Sequence, residues 1–234
     1  MGRLRAVFFD LDDTLICFPG GFAPVLDGTF AEAVKAGVNP ELRAAFARAM
    51  WNRSLGLWAA MHCGSITGDE GRYLRIFQAL QAIGIEDANL ARRMLDRWDE
   101  LDVNLPYARP EVHHVLSDVG RDAYLGLITD GFKTLQRAKL VRFKLLDYFD
   151  GIFISEEVHC SKPFPAIFRA ALKRAGCEPD EAVMVGDNPN ADVRGALGVG
   201  MRAMHLMNGK PTPEGATPVS SLAQVAEALR PWLA

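Results

Sequence analysis

Four short polar stations interrupt otherwise apolar stretches of this chain: Asp10-Leu-Asp12-Asp13-Thr14, Thr129-Asp130-Gly131, Lys162 within Cys-Ser-Lys-Pro, and Gly186-Asp187 followed by Asp192. Carboxylates are hard oxygen donors that suit a small divalent cation keeping several waters. A lysine, a hydroxyl and the backbone N–H groups at a helix start are in turn suited to an anion. Asp12 stands two residues beyond Asp10, a spacing that in extended backbone sends both carboxylates to one side of the chain. An acidic cluster alone says little, because Asp also caps helices and starts turns. Four polar stations at successive strand ends are much harder to explain as caps.

The elements that must position these stations can be read from the pattern. Residues 4–9, Leu-Arg-Ala-Val-Phe-Phe, form an apolar run that ends abruptly in acids, which predicts a buried strand feeding a loop. From about Thr29 to Val103 the periodicity is helical, with breaks at Gly37–Pro40, Gly64–Gly68 and Gly84, and predicts four helices and no strand. Beyond Pro110 helix and strand alternate: helix 110–119, strand 124–129, helix 132–141, strand 151–155, helix 165–175, strand 182–186, helix 190–197, strand 202–207, then a short strand and a closing helix within 217–233. Such alternation implies an α/β fold with a doubly wound parallel sheet, whose ligands bind beyond the carboxyl ends of the strands. The expected domains are a discontinuous core, 1–16 with 104–234, and an inserted helical segment, 17–103, that usually covers something.

Composition excludes several classes. The chain has 234 residues, 49% apolar and 24% charged, and no apolar run approaches the ~18 residues of a membrane helix. Asp10, Asp12 and Asp13 cut off the opening apolar run before a signal-peptide core could form, so cytoplasmic residence is expected. Four scattered cysteines show neither C-x-x-C pairs nor matching His spacing and are expected to be reduced thiols. A net charge of −3 with both signs interspersed argues against nucleic acid, and Arg92, Arg93 and Arg97 are expected on a solvated helix exterior.

Together, Asp10-x-Asp12-x-Thr14, Thr129, Lys162 and Gly186-Asp187-x-x-x-x-Asp192 resemble the four motifs of the haloacid dehalogenase superfamily. The resemblance covers the whole chain, because the helical insert sits where subfamily I places its helical cap. Phe-Phe-Asp-Leu-Asp-Asp-Thr-Leu matches the phosphatase branch. Leu-Ile-Thr-Asp-Gly-Phe-Lys-Thr-Leu-Gln with Leu-Leu-Asp-Tyr-Phe-Asp looks like its nucleotidases and acylneuraminate phosphatases. The resemblance implies a Mg²⁺-dependent phosphohydrolase of small phosphate esters, a nucleoside monophosphate or a sugar phosphate, working through an aspartyl-phosphate. Asp10 would be the nucleophile, and Asp12 the acid that protonates the leaving oxygen and the base that then activates water. Mg²⁺ would be held by Asp10, the backbone carbonyl of Asp12 and Asp187, with Asp192 orienting that shell and Thr14 holding the first loop. Lys162 would neutralise phosphate charge, while Thr129 and the N–H groups of Asp130 and Gly131 would cradle its oxygens. Many relatives carry Asn where this chain has Asp130, so the Asp130 side chain is expected to turn away from the phosphate.

Three rivals share this framework. Dehalogenation would use the Asp10 nucleophile on carbon but needs neither Asp12 nor a metal. A phosphosugar mutase keeps both aspartates, and a phospho-acceptor switch would lack the insert. A dead scaffold would have lost a station, and none is lost. Among the remaining residues, Asp13 is expected in a turn and Pro189 in a helix first turn, while His113 and His114 are expected to be structural. Trp51 and Trp58, near Met50 and Met61, are expected to be packing. Phe18, Phe22, Arg53 and His62 are candidate substrate readers only by their place in the insert. Monomer and homodimer both fit the sequence.

Overall fold

A computed structural model describes residues 3–233. Met1, Gly2 and Ala234, the outermost residues of the expected core segments, lie outside the described residues. The chain forms two compact units, Met1–Cys17 with Tyr107–Ala234, and Phe18–Pro106. After β1 (Ala6–Phe9) and β2 (Ile16–Cys17) come four helices, α1 (Ala23–Lys35), α2 (Arg43–His62), α3 (Gly68–Gln81) and α4 (Ala88–Asn104). The chain then runs through β3 (Tyr107–Ala108), α5 (Val112–Val119), β4 (Tyr124–Thr129), α6 (Lys133–Arg142), β5 (Gly151–Ile154) and α7 (Pro165–Ala175). It ends with β6 (Ala182–Gly186), α8 (Gly195–Gly198), β7 (Arg202–Leu206), β8 (Thr217–Val219) and α9 (Leu222–Leu233).

Six strands form one parallel sheet in the order β5-β4-β1-β6-β7-β8. Its central strands β1 and β6 are buried on both faces, and alternation sorts their side chains. Val7 and Phe9 join Leu125, Leu127, Val183 and Val185 under α5 and α9. Ala6 and Phe8 join Ile128, Ala182 and Met184 under α7 and α8. The chain visits β4 and β5 on one side of β1 and then crosses to β6 on the other, so the strand order reverses at β1. Phe9 is in register with Leu127 and with Val185, which brings Asp10 level with the polar ends of both neighbours. That is the crevice where parallel sheets place ligands.

The helical unit has its own core, including Phe30, Phe46, Met50, Ile76, Leu80, Met94 and Trp98. Thr67 and Glu70 form a capping box that starts α3, and Asp87 caps α4 by accepting the N–H groups of Asn89 and Leu90. The packing role expected for Trp51 is corrected: Trp51 is 48% and Leu55 81% exposed. The sequence of α2 is apolar at positions all around the helix, so periodicity does not say which side faces inward. Two further differences concern the core. A two-stranded antiparallel ribbon, β2 with β3, is absent from the sequence expectation, because two-residue strands leave no periodic signal. The helix expected over 190–197 is instead a π-helical turn, Pro189–Arg194, followed by α8. Asn188 starts this turn by accepting from Asn190 and Ala191, while its own N–H donates to Asp192 Oδ2 at 2.9 Å. The wide turn thereby carries the Asp192 carboxylate back toward the strand ends.

Candidate functional site

Asp10 follows β1 directly and is buried, as are Lys162, Asp187 and Asp192. The Lys162 ammonium lies 2.6 Å from both Asp10 Oδ1 and Asp192 Oδ1, and donates to the Ile128 carbonyl at 3.1 Å. Thr14 ties the first loop to the fourth station: its hydroxyl donates to Asp10 Oδ2 at 3.2 Å and accepts the Asp187 N–H at 3.1 Å. Asp13 adopts a left-handed backbone conformation, φ 60°, as its turn role requires, and its carbonyl accepts from Asn208 and Arg109.

The three carboxylates of Asp10, Asp187 and Asp192 bring oxygens within 4.8 Å of one another. Burial pushes Asp10 well above the ordinary carboxylate range; Lys162 opposes this, and Asp192 and Asp187 add to it. Burial likewise raises Asp187, against the pull of Lys210, whose ammonium lies 2.6 Å from Asp187 Oδ2. For Lys162 burial acts downward, but the charges of Asp10, Asp192 and Asp130 outweigh it and hold the ammonium above its usual value. Three crowded carboxylates against two ammonium groups, the buried Lys162 and the half-exposed Lys210, carry an excess of acidic groups that a further cation would relieve. An all-oxygen donor set fits a hard divalent ion such as Mg²⁺.

Asp12 has a different environment. Its carboxylate accepts from Lys139 Nζ at 3.0 and 3.2 Å and from Gln136 Nε2 at 2.9 Å. Thr129 is buried at the end of β4, and its hydroxyl accepts from the same Gln136 amide at 2.6 Å. The Asp130 side chain turns to the Lys162 backbone, with Oδ1 accepting that N–H at 3.0 Å, and burial raises its pKa despite Lys162. The Gly131 N–H, expected in the anion cradle, donates to Ser155 Oγ at 2.9 Å.

Gln136, Lys139, Ser155, His205 and Lys210 are missed by the sequence reading. Gln136 and Lys139 are three apart on α6 and so share one face, and both are buried. His205 carries a readable signal, a polar residue inside an apolar strand. His205 Nε2 faces the Asp187 carbonyl at 3.1 Å and must carry a proton there, since a carbonyl only accepts; Nδ1 lies 2.9 Å from Thr212 Oγ1. Lys210 lies in a loop and carries none. The His113 ring lies on the surface, its Nδ1 3.2 Å from the Tyr148 hydroxyl. In the helical unit Phe18 is buried and stacks on Phe22, the ring centroids 4.4 Å apart; His62 lies 5.7 Å from the Trp58 ring, and Arg53 is exposed. No helix among the described residues is long and apolar enough to cross a membrane.

Residues 4–200 match the family model described as haloacid dehalogenase-like hydrolase. The pyrimidine 5′-nucleotidase YjjG of Escherichia coli (strain K12) is 34% identical over 179 residues, covering 74% of this chain and 77% of that one. The glyceraldehyde 3-phosphate phosphatase of Methanothermobacter thermautotrophicus is 33% identical over 213 residues, covering 89% and 88%. Among solved structures, a 2-haloacid dehalogenase from Pseudomonas syringae pv. Tomato DC3000 is similar with a TM-score of 0.72 and 28% identity, covering 98% and 99%.

Proposed function

This chain belongs to the haloacid dehalogenase-like hydrolase family, and from that premise we propose that it hydrolyses small phosphate monoesters with Mg²⁺ through an aspartyl-phosphate on Asp10. The observation that carries the reading is the pair of aspartates two residues apart with separate partners. Asp10 is held by Thr14 and Lys162, and Asp12 by Gln136 and Lys139 next to Thr129. A carboxylate aimed at phosphorus needs positive charge nearby, and a second carboxyl is needed where the leaving oxygen departs. The two phosphate-ester-cleaving relatives support the same class.

In this reading a carboxylate oxygen of Asp10 attacks phosphorus, and the P–O ester bond breaks with its electron pair passing to the leaving oxygen. That oxygen takes a proton from Asp12. Water then attacks the aspartyl-phosphate and gives a proton back to Asp12, releasing inorganic phosphate and restoring Asp10. Lys162 and the Thr129 hydroxyl balance the phosphoryl oxygens, with the backbone N–H of Asp130 assigned to the same cradle; the Gly131 N–H, which donates to Ser155 Oγ, is not available to it. Asp10, the Asp12 carbonyl and Asp187 would hold the metal and Asp192 would orient them; when bound, Mg²⁺ neutralises phosphoryl charge. The helical segment 17–103 is assigned as the cap that selects the substrate, a nucleoside monophosphate or a sugar phosphate, with Phe22, Arg53 and His62 as candidate readers. The enzyme would act in the cytoplasm as a monomer or homodimer.

Halide displacement from carbon, the activity named for the Pseudomonas syringae relative, has no use for Asp12 or for an acidic metal cluster. The test is phosphate release from nucleoside monophosphates, sugar phosphates and phosphoglycolate, with Mg²⁺ or EDTA, by wild type and Asp10→Asn. Release that requires Mg²⁺ and disappears in the variant is expected. Metal-free conversion of a 2-haloacid, or a phosphoryl group held without turnover, would overturn the proposal.

A further inference from the structure

The contacts around Asp12 point to a residue outside the four stations. Gln136 lies on the first turns of α6 and is 2% exposed. Its Nε2 reaches three acceptors: Asp12 Oδ2 at 2.9 Å, Thr129 Oγ1 at 2.6 Å and the Asp130 carbonyl at 3.2 Å. Two N–H bonds thus serve three oxygens, and two of those oxygens belong to different stations. Lys139, one turn further on and also buried, spans both oxygens of the same Asp12 carboxylate, at 3.0 Å from Oδ1 and 3.2 Å from Oδ2, and supplies its charge partner.

We infer that Gln136 is a positioning residue that fixes the Asp12 carboxyl relative to the Thr129 anchor, so that the proton donor stands at the leaving oxygen rather than swinging in solvent. This rests on the roles proposed above for Asp12 and Thr129. Three features support it. The Asp12 side chain is 20% exposed, so burial alone does not hold it. The amide is neutral, so its contribution to Asp12 is direction and distance rather than charge. The same amide hydrogen-bonds Thr129, so a shift of one station is transmitted to the other within a single rigid group.

The consequence depends on the leaving group. An alkoxide leaves poorly without a proton, whereas p-nitrophenolate leaves readily, and general acid catalysis contributes ~10²–10⁴ in rate only where the proton is needed. The experiment measures kcat/KM for p-nitrophenyl phosphate and for ethyl phosphate in wild type, Gln136→Leu and Gln136→Met, the second close in shape to Gln; both remove the donor without adding charge beside Asp12. kcat/KM reports steps through departure of the leaving group, and its ratio between two substrates does not depend on how much enzyme is folded. The expected result is a loss on the order of 10- to 100-fold with ethyl phosphate against less than about threefold with p-nitrophenyl phosphate, since only the first needs the acid. A burst of about one equivalent of nitrophenolate before a slowed steady state is also expected, because the misplaced carboxylate then serves water poorly. Equal losses on both substrates in both variants would make Gln136 a structural cap, and no loss on either would make it idle; each overturns the inference. Wild type without phosphatase activity on either ester would instead fail the phosphohydrolase reading itself.

Discussion

Adding one methyl group at Gly186 is the most direct test of how the acidic site is held. A Cβ built on this glycine stands 2.5 Å from Asp192 Cβ and closer still to its Cγ and Oδ2. Asp192 cannot retreat without cost, because it is fully buried, its Oδ1 takes Lys162 at 2.6 Å and its Oδ2 takes the Asn188 N–H at 2.9 Å. Overpacking a close-packed site costs about 1–3 kcal/mol, and a displaced hydrogen bond to a charged group about 1.5–3 kcal/mol. Taken together, Gly186→Ala should lose about 2.5–6 kcal/mol, or roughly 5–24 °C in melting midpoint for a chain of this size. Because Asp192 belongs to the three-carboxylate cluster, magnesium affinity should fall on the order of 10- to 100-fold as well. Gly126→Ala is the control. Its Cβ meets Phe8 within the apolar face of the sheet, so it should cost about 1–3 kcal/mol and leave magnesium affinity unchanged. Calorimetric melting and magnesium titration of the three proteins decide the matter. A Gly186→Ala protein that melts and binds magnesium like wild type would refute the claim that Asp192 is locked by its surroundings.

Lys162→Met should destabilise the fold by about 3–5 kcal/mol, since it strips Asp10 and Asp192 of a buried counter-charge, and millimolar Mg²⁺ should recover part of that loss in a melting curve. Equal melting with and without Mg²⁺ would show that no cation occupies the cluster. Asp99, in the helical unit, has its carboxyl raised to about 6 by burial, with Asp102 adding and Arg72 opposing. The native state therefore keeps this proton to higher pH than the unfolded chain does. The stabilising contribution is present below about pH 4, the unfolded value, and is lost as pH rises through 6. The melting midpoint of wild type relative to Asp99→Asn should fall over that window, and a constant difference would contradict the assignment.

The parallel core was legible because its strands are short apolar runs with abrupt polar ends, a signal that survives without knowledge of neighbours. The bounds of Tyr124–Thr129 and Ala182–Gly186 match the expected ones for that reason. Helix breaks in the insert were equally legible, as glycine and proline mark them locally. The four stations followed from strand ends and from the family resemblance. What the linear pattern did not contain was which partners each station would meet. Lys162 reaches Asp10 across 152 residues, and Gln136 reaches Asp12 across 124, distances in sequence that only the strand order closes. The same applies to orientation. Whether Gln136 and Lys139 point inward depends on how α6 is rotated against the sheet, and Trp51 lies outside because α2 offers apolar residues on every side. Residue type and spacing determined the chemistry available, since those are properties of single segments; tertiary packing decided which groups share a proton or a charge, because that depends on distances between segments.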